Sequence, residues 1–207
     1  MLLGLLEDAY IASPLRAAHQ RWDLARFQRL TPIPPHSQVL DVGCGTGLGL
    51  QLLHTRARAS TLTGVDADAK QIARSRARLS HHHIPAQLHV ADATALPLAA
   101  ASFDVVTSFG CLHHLPNWQN ALTDWARVLK HGGLLYLHEY YAPLLHNPLF
   151  NALLPHPPQR FTHAQLLNEL PHHGFTVLAH KSHLGGPTSA LTGDIVARHT
   201  NQPLPYE

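Results

Sequence analysis

The stretch Val39-Leu40-Asp41-Val42-Gly43-Cys44-Gly45-Thr46-Gly47 constrains the fold of this 207-residue chain more than any other. An apolar run breaks into alternating glycines and passes at once into leucine-rich, helix-compatible sequence. Glycines at such a turn let the backbone pass close under a ligand and leave helix N-terminal amides free to donate to it. The pattern recurs downstream. Strands are predicted over 39–43, 61–66, 87–91, 103–109 and 134–139, and helices over 47–55, 69–79 and 117–129. Such β-α alternation gives an α/β fold, a parallel sheet covered on both faces. Ligands of these sheets bind beyond the carboxyl ends of the strands, where strand order reverses.

The flanks differ from this core. Ser13-Pro14 supplies an N-cap and a first helical position, and Leu15, Ala18, Trp22, Ala25 and Arg29 follow a helical stagger, with Leu24, Phe27 and Leu30 adjoining that face. An amphipathic helix to Leu30 is predicted, stopped by Thr31-Pro32-Ile33-Pro34-Pro35. Residues 140–161 mix five prolines with leucines, Tyr140, Tyr141 and Phe150 and are too broken for a long helix. A helix over 162–172 and two strands over 175–182 and 190–199 follow, joined around Gly185-Gly186-Pro187. The length suits one domain: a helical cap (1–35), a ligand-binding core (38–139), a substrate-side insert (140–161) and a terminal helix with a strand pair (162–207).

Composition narrows the function. Hydrophobic residues make up 45% and charged residues 14%, and 15 Lys+Arg against 13 Asp+Glu leave +2, so no broad cationic field for nucleic acid is expected. Cys44 and Cys111 form no CxxC pair, which suits a reducing, cytoplasmic setting. The opening MLLGLLED lacks a basic region and cleavage site for secretion, and no apolar run nears the roughly 20 residues of a membrane span. Contact with a membrane surface stays open, as does oligomeric state.

The glycine register excludes familiar phosphate binders. A dinucleotide fingerprint would need glycine at 48 or 50, where Leu48 and Leu50 stand, and no Gly-Lys-Ser/Thr follows for a P-loop. Asp41 would also set a carboxylate against any pyrophosphate held there. Asp66 ends the second strand and Asp92 follows the third, so three acids converge on one crevice. That suits a ligand with positive charge, vicinal hydroxyls and an amino-bearing ring, lacking phosphate. S-adenosylmethionine has each feature.

Across 38–139 the motifs VLDVGCGTG, GVDAD, ADATALPLAAASFDVV, FGCLHHLPNW and RVLKHGGLLYLHE come in an order and spacing that resemble a class I SAM-dependent methyltransferase with a type-11 domain. The terminal segment is loosely similar in layout to quinone-biosynthesis methyltransferases. This resemblance implies a Rossmann-like seven-stranded sheet, mostly parallel with an antiparallel last strand and helices on both faces. It implies that Asp41 and the Gly43-Cys44-Gly45-Gly47 loop hold the aminocarboxypropyl end and that Asp66, with Ala67 beside it, takes the ribose hydroxyls. Asp92 would accept from the adenine amine, the Ala93 N–H would donate to a ring nitrogen, and Phe109 and Gly110 would line the methyl side. S-adenosylhomocysteine would be the product.

Other residues have plainer readings. Asp104 is expected to be a turn or cap residue, Trp118 and Trp125 helix packing, and Cys44 a filler beneath the loop. His81-His82-His83 is expected to be a solvated helix end, without metal, and Lys70, Arg74 and Arg78 a wet helix face. Methyl transfer is a direct displacement, so a base is needed only if the acceptor is still protonated. His113, His114 and Glu139 are the candidates, against an architectural role for each. The expectation is methyl transfer to a small apolar or aromatic acceptor. A catalytically silent SAM-binding or scaffold protein and an NAD-dependent oxidoreductase are the rivals, the latter lacking its glycine register.

Overall fold

The computed structural model describes residues 13–147 and 160–200. Its elements are α1 (Pro14–Leu30), β1 (Gln38–Val42), α2 (Leu48–Ala57), β2 (Thr61–Asp66), α3 (Ala69–His81), β3 (Gln87–Val90), β4 (Phe103–Phe109), a 3-10 turn (Leu112–His114), α4 (Trp118–Val128) and β5 (Leu129–Tyr140). After these come α5 (Ala142–Leu145), α6 (His163–Glu169), a second 3-10 turn (Leu170–His173), β6 (Phe175–His183) and β7 (Thr192–His199). They form one seven-stranded sheet in the order β3-β2-β1-β4-β5-β7-β6. β1 pairs in parallel with both β2 and β4, and β7 is antiparallel to both of its neighbours, as expected. Strand order reverses between β1 and β4, so the crevice opens there.

Successive strand residues enter different cores. Leu40, Val106, Leu135 and Ile195 pack with Leu122 and Trp125 of α4. Their neighbours Val39, Val105, Tyr136 and Val196 pack with Phe27 of α1, Leu50 of α2 and Ile72 of α3. Each fully buried Leu or Val contributes about 1.5–3 kcal/mol, so both faces hold the sheet and the strands are apolar throughout.

Two expectations change. β5 begins at Leu129 rather than 134, and the terminal helix stops at Glu169, where Pro171 turns the chain into 3-10 geometry. The larger correction concerns α1. Its apolar stagger faces solvent, with Leu15 61% and Trp22 70% exposed, while Gln20, Asp23, Leu24 and Phe27 are buried. The inward face is partly ionic: Arg26 donates to Asp194 (2.6 Å) and to Asp23 (2.5 Å), and His138 and His183 each lie 2.7 Å from Asp194. Of the leucine-rich insert, Leu149, Phe150, Leu153 and Leu154 lie outside the described residues.

Candidate active site

Three glycines shape the turn after β1. Gly43, Gly45 and Gly47 all have positive φ (71°, 51° and 78°), the left-handed region that side chains rarely adopt. Space is also short. A Cβ on Gly43 would lie 2.6 Å from the Cys111 Cβ, and one on Gly47 would strike the Ser75 hydroxyl. The Gly43 and Cys44 amides donate to the Val65 carbonyl (2.8 and 3.0 Å), and the Gly45 amide donates to Asp66 Oδ2 (2.9 Å). The loop is thereby stitched to the end of β2. Arg78 completes the brace by donating from Nε to the Thr46 carbonyl at 2.9 Å, which corrects its reading as part of a wet face.

Above this loop lies a cavity of about 1120 Å³ at the carboxyl ends of β1, β2 and β4. Its wall includes Gly43, Cys44, Gly45, Asp66, Ala67, Asp92, Ala93, Phe109, Gly110, His113 and His114 of the sequence candidates. Asp41, Gly47 and Glu139 stand behind that wall. Asp66 accepts from Gly45 and Asp68 amides, and burial raises its carboxyl above the ordinary range. Asp92 is exposed and accepts from the Thr94 amide and hydroxyl, both at 2.8 Å. Trp125, fully buried as helix packing predicts, also donates from Nε1 to the Ala93 carbonyl (2.9 Å) and so fixes the loop that carries Asp92. Trp118 is likewise buried, and Asp104 ties the Gln38 amide to Lys130.

Asp41 is 1% exposed. Its Oδ1 accepts from the Thr107 hydroxyl at 2.7 Å, the residue opposite it on β4, whereas its Oδ2 is buried without a hydrogen-bond partner. Burial raises this carboxyl to about 7, against the lowering effects of Thr107 and Arg16. A Cβ on Gly49 would sit 2.5 Å from Asp41 Oδ2 and 2.8 Å from the Gln20 amide nitrogen, so acid and amide converge on that glycine. Gln20 in turn lines the cavity.

Glu139 is fully buried and faces backbone rather than the cavity. It accepts from the amides of Cys111 (3.2 Å), Leu112 (2.9 Å) and His113 (3.4 Å), and its Oε2 lies 2.7 Å from His113 Nδ1. Burial raises it to about 7. The pair therefore holds the His113 ring at the cavity wall, edge-on to Tyr140 with centroids 5.2 Å apart. His114 stacks on His113 at 4.1 Å.

Sequence reasoning missed the contribution of α1. Arg16 and Gln20 line the cavity, and Arg16 Nη2 donates to the Phe109 carbonyl at 2.6 Å, across 93 positions of chain. No local motif announces them. The cavity wall also carries Leu144, Leu184 and Leu191.

Residues 40–137 match the family model described as a methyltransferase domain. Curated relatives include a 27-O-demethylrifamycin SV methyltransferase from Amycolatopsis mediterranei, 33% identical over 56% of this chain and 43% of its own length. A demethylmenaquinone methyltransferase from Tropheryma whipplei is 35% identical over 64% of this chain and 53% of its own. The matched stretches span about half of these relatives. Among solved structures, an S-adenosylmethionine-dependent methyltransferase from Mesorhizobium loti superposes with a TM-score of 0.69, covering 86% of this chain and 97% of its own at 20% identity. The cyclase SpnF superposes with 0.72, covering 94% and 84% at 19% identity. Residues 40–137 thus match a methyltransferase domain, and the sheet that carries them has a Rossmann-like order.

Proposed function

We propose that this domain transfers a methyl group from S-adenosylmethionine to a small apolar or aromatic acceptor in the cytoplasm. The observation that carries the reading is the buried, unpartnered Oδ2 of Asp41 behind a wall bearing Asp66 and Asp92. A cationic, phosphate-free nucleoside fits that set of acceptors, and a dinucleotide does not. The cofactor would supply a methyl group on a sulfonium, open to direct displacement. Asp66 would accept from its ribose diol, with Ala67 alongside, and Asp92 from its ring amine, with the Ala93 amide donating beside it. Asp41 and the glycine loop would take the ammonium end and Arg16 the carboxylate, while Phe109 and Gly110 flank the methyl.

His113 is the base we assign, for an acceptor that arrives protonated. It would take the acceptor's proton while Glu139 holds its Nδ1–H and steadies the resulting imidazolium. Leu144, Leu184, Leu191 and Tyr140 offer an apolar wall to that acceptor. The relatives, named for methylating demethylrifamycin and demethylmenaquinone, support a small-molecule acceptor, and two free thiols, Cys44 and Cys111, support the reducing compartment.

Thermal unfolding with and without cofactor tests the reading. At a hundredfold excess over Kd, S-adenosylmethionine or S-adenosylhomocysteine should add about 2.7 kcal/mol, and no shift at millimolar cofactor would sink the assignment. Labelled cofactor with a panel of phenols and hydroquinones then tests turnover. Binding without turnover across that panel would favour the second reading, a silent cofactor binder. The [4+2]-cyclase SpnF shares this fold, so the fold alone does not fix the reaction.

A further inference from the structure

The outer face of α1 is used by neither the core nor the cavity. Leu15 and Trp22 stand two turns apart at 61% and 70% exposed, with exposed Ala18 and Ala25 on the same stripe and exposed Arg21 and Arg29 beside them. The one acid of the helix, Asp23, is turned inward onto Arg16 and Arg26. What faces solvent is therefore apolar and cationic. A second copy of the chain would bring guanidinium groups together with no acid of this face between them. An anionic lipid surface takes both features in one plane: indole and leucine at the headgroup boundary, arginines on phosphates. A helix so placed sinks only about 5–10 Å, which leaves its inner face docked on the sheet.

We propose that α1 docks this protein on anionic bilayers through Leu15, Trp22, Arg21 and Arg29. The inner face of the same helix lends Arg16 and Gln20 to the cavity wall, on which Leu184 stands 78% exposed. Where the reading of an apolar acceptor holds, docking brings the cavity to the phase that concentrates such a molecule.

Intrinsic fluorescence gives a direct test, because Trp118 and Trp125 are 6% and 0% exposed and Trp22 alone senses the surroundings. The full chain is mixed with vesicles of phosphatidylglycerol and phosphatidylcholine, and with phosphatidylcholine alone, at low and high salt. A blue shift and co-sedimentation confined to the anionic vesicles, and reversed by salt, are expected. Arg21→Gln and Arg29→Gln should each weaken binding about fivefold. Trp22→Ser should remove co-sedimentation, while Trp22→Phe should keep it and lose the shift. Unchanged unfolding midpoints tie these effects to the surface. Failure to bind, or equal binding to neutral vesicles, would overturn the proposal. A lipid-free shift that grows with protein concentration, together with a dimer in sedimentation, would overturn it in favour of a second copy. No arm requires methyl transfer, so the result stands apart from the cofactor assignment.

Discussion

The two ends of the cavity are built by opposite means. At the glycine-loop end, carboxylates are held by neighbouring backbone: Asp66 by the amides of Gly45 and Asp68, Asp92 by that of Thr94. At the α1 end, distant side chains hold one another, as in the bond from Arg26 to Asp194 across 168 positions. Their electrostatics are also opposed. Burial raises Asp41 to about 7, whereas His138, Arg26 and His183 around the buried Asp194 carboxyl hold it below the ordinary carboxylate range. One end thus stores an unmet demand for positive charge, and the other has already met it with protein groups.

The largest effect should come from breaking the second end. Asp194→Ala leaves Arg26 and two histidines without their shared acceptor and should cost about 3–5 kcal/mol, near 10 °C in melting temperature. If the two ends are independent, the melting shift produced by the cofactor survives. A lost shift would show that α1 and the loop act as one unit.

Glu139→Gln comes next. It should lower kcat about a hundredfold and alter the pH profile while cofactor affinity stays within twofold, because Glu139 acts through His113 and backbone and does not itself line the cavity. An unchanged kcat would reduce Glu139 to a brace for the turn.

A proton balance sharpens the contrast further. Asp41 in the folded protein keeps a proton that the unfolded chain releases near pH 4, so its burial weakens stability as pH rises from about 4 to about 7. Asp194 acts with the other sign: its stabilisation is present above the ordinary carboxylate range and is lost as pH falls below it. An ammonium beside Asp41 would ionise it. Calorimetry in buffers of differing ionisation heat should find close to one proton released on cofactor binding near pH 6, with affinity rising up to about tenfold per pH unit below 7. Asp41→Asn should abolish that release.

Trp125→Phe should be the mildest. Losing the bond to the Ala93 carbonyl should cost about 1 kcal/mol and loosen the Asp92 loop, seen as a small rise in cofactor Kd.

The same division explains what the sequence disclosed. Gly43, Gly45 and Gly47 were legible because a positive φ, joined at Gly43 and Gly47 by a crowded Cβ, leaves glycine as the fitting residue, and Asp66 and Asp92 because strand ends converge in any parallel sheet. Arg16 and Gln20 were not, since nothing near residue 16 announces the carbonyl of Phe109. The stripe of Leu15 and Trp22 misled for a related reason: periodicity marks an apolar face but assumes that the face turned inward is apolar, and here Asp23 and Gln20 take that place. Arg78 showed only its four-residue spacing, not its reach to Thr46. Glu139 was recognisable as an acid at a strand end, yet its grip on three amides after β4 depends on two strands lying side by side.

Because β7 runs against its neighbours, the hairpin that joins it to β6 emerges at the same rim as the glycine turn, and its Leu184 and Leu191 border the cavity. Insertions or swaps in that hairpin would reshape this part of the cavity without disturbing a single glycine or strand-end carboxylate. On the proposed reading, the molecule methylated would thus be retuned while the groups that hold the donor stay as they are.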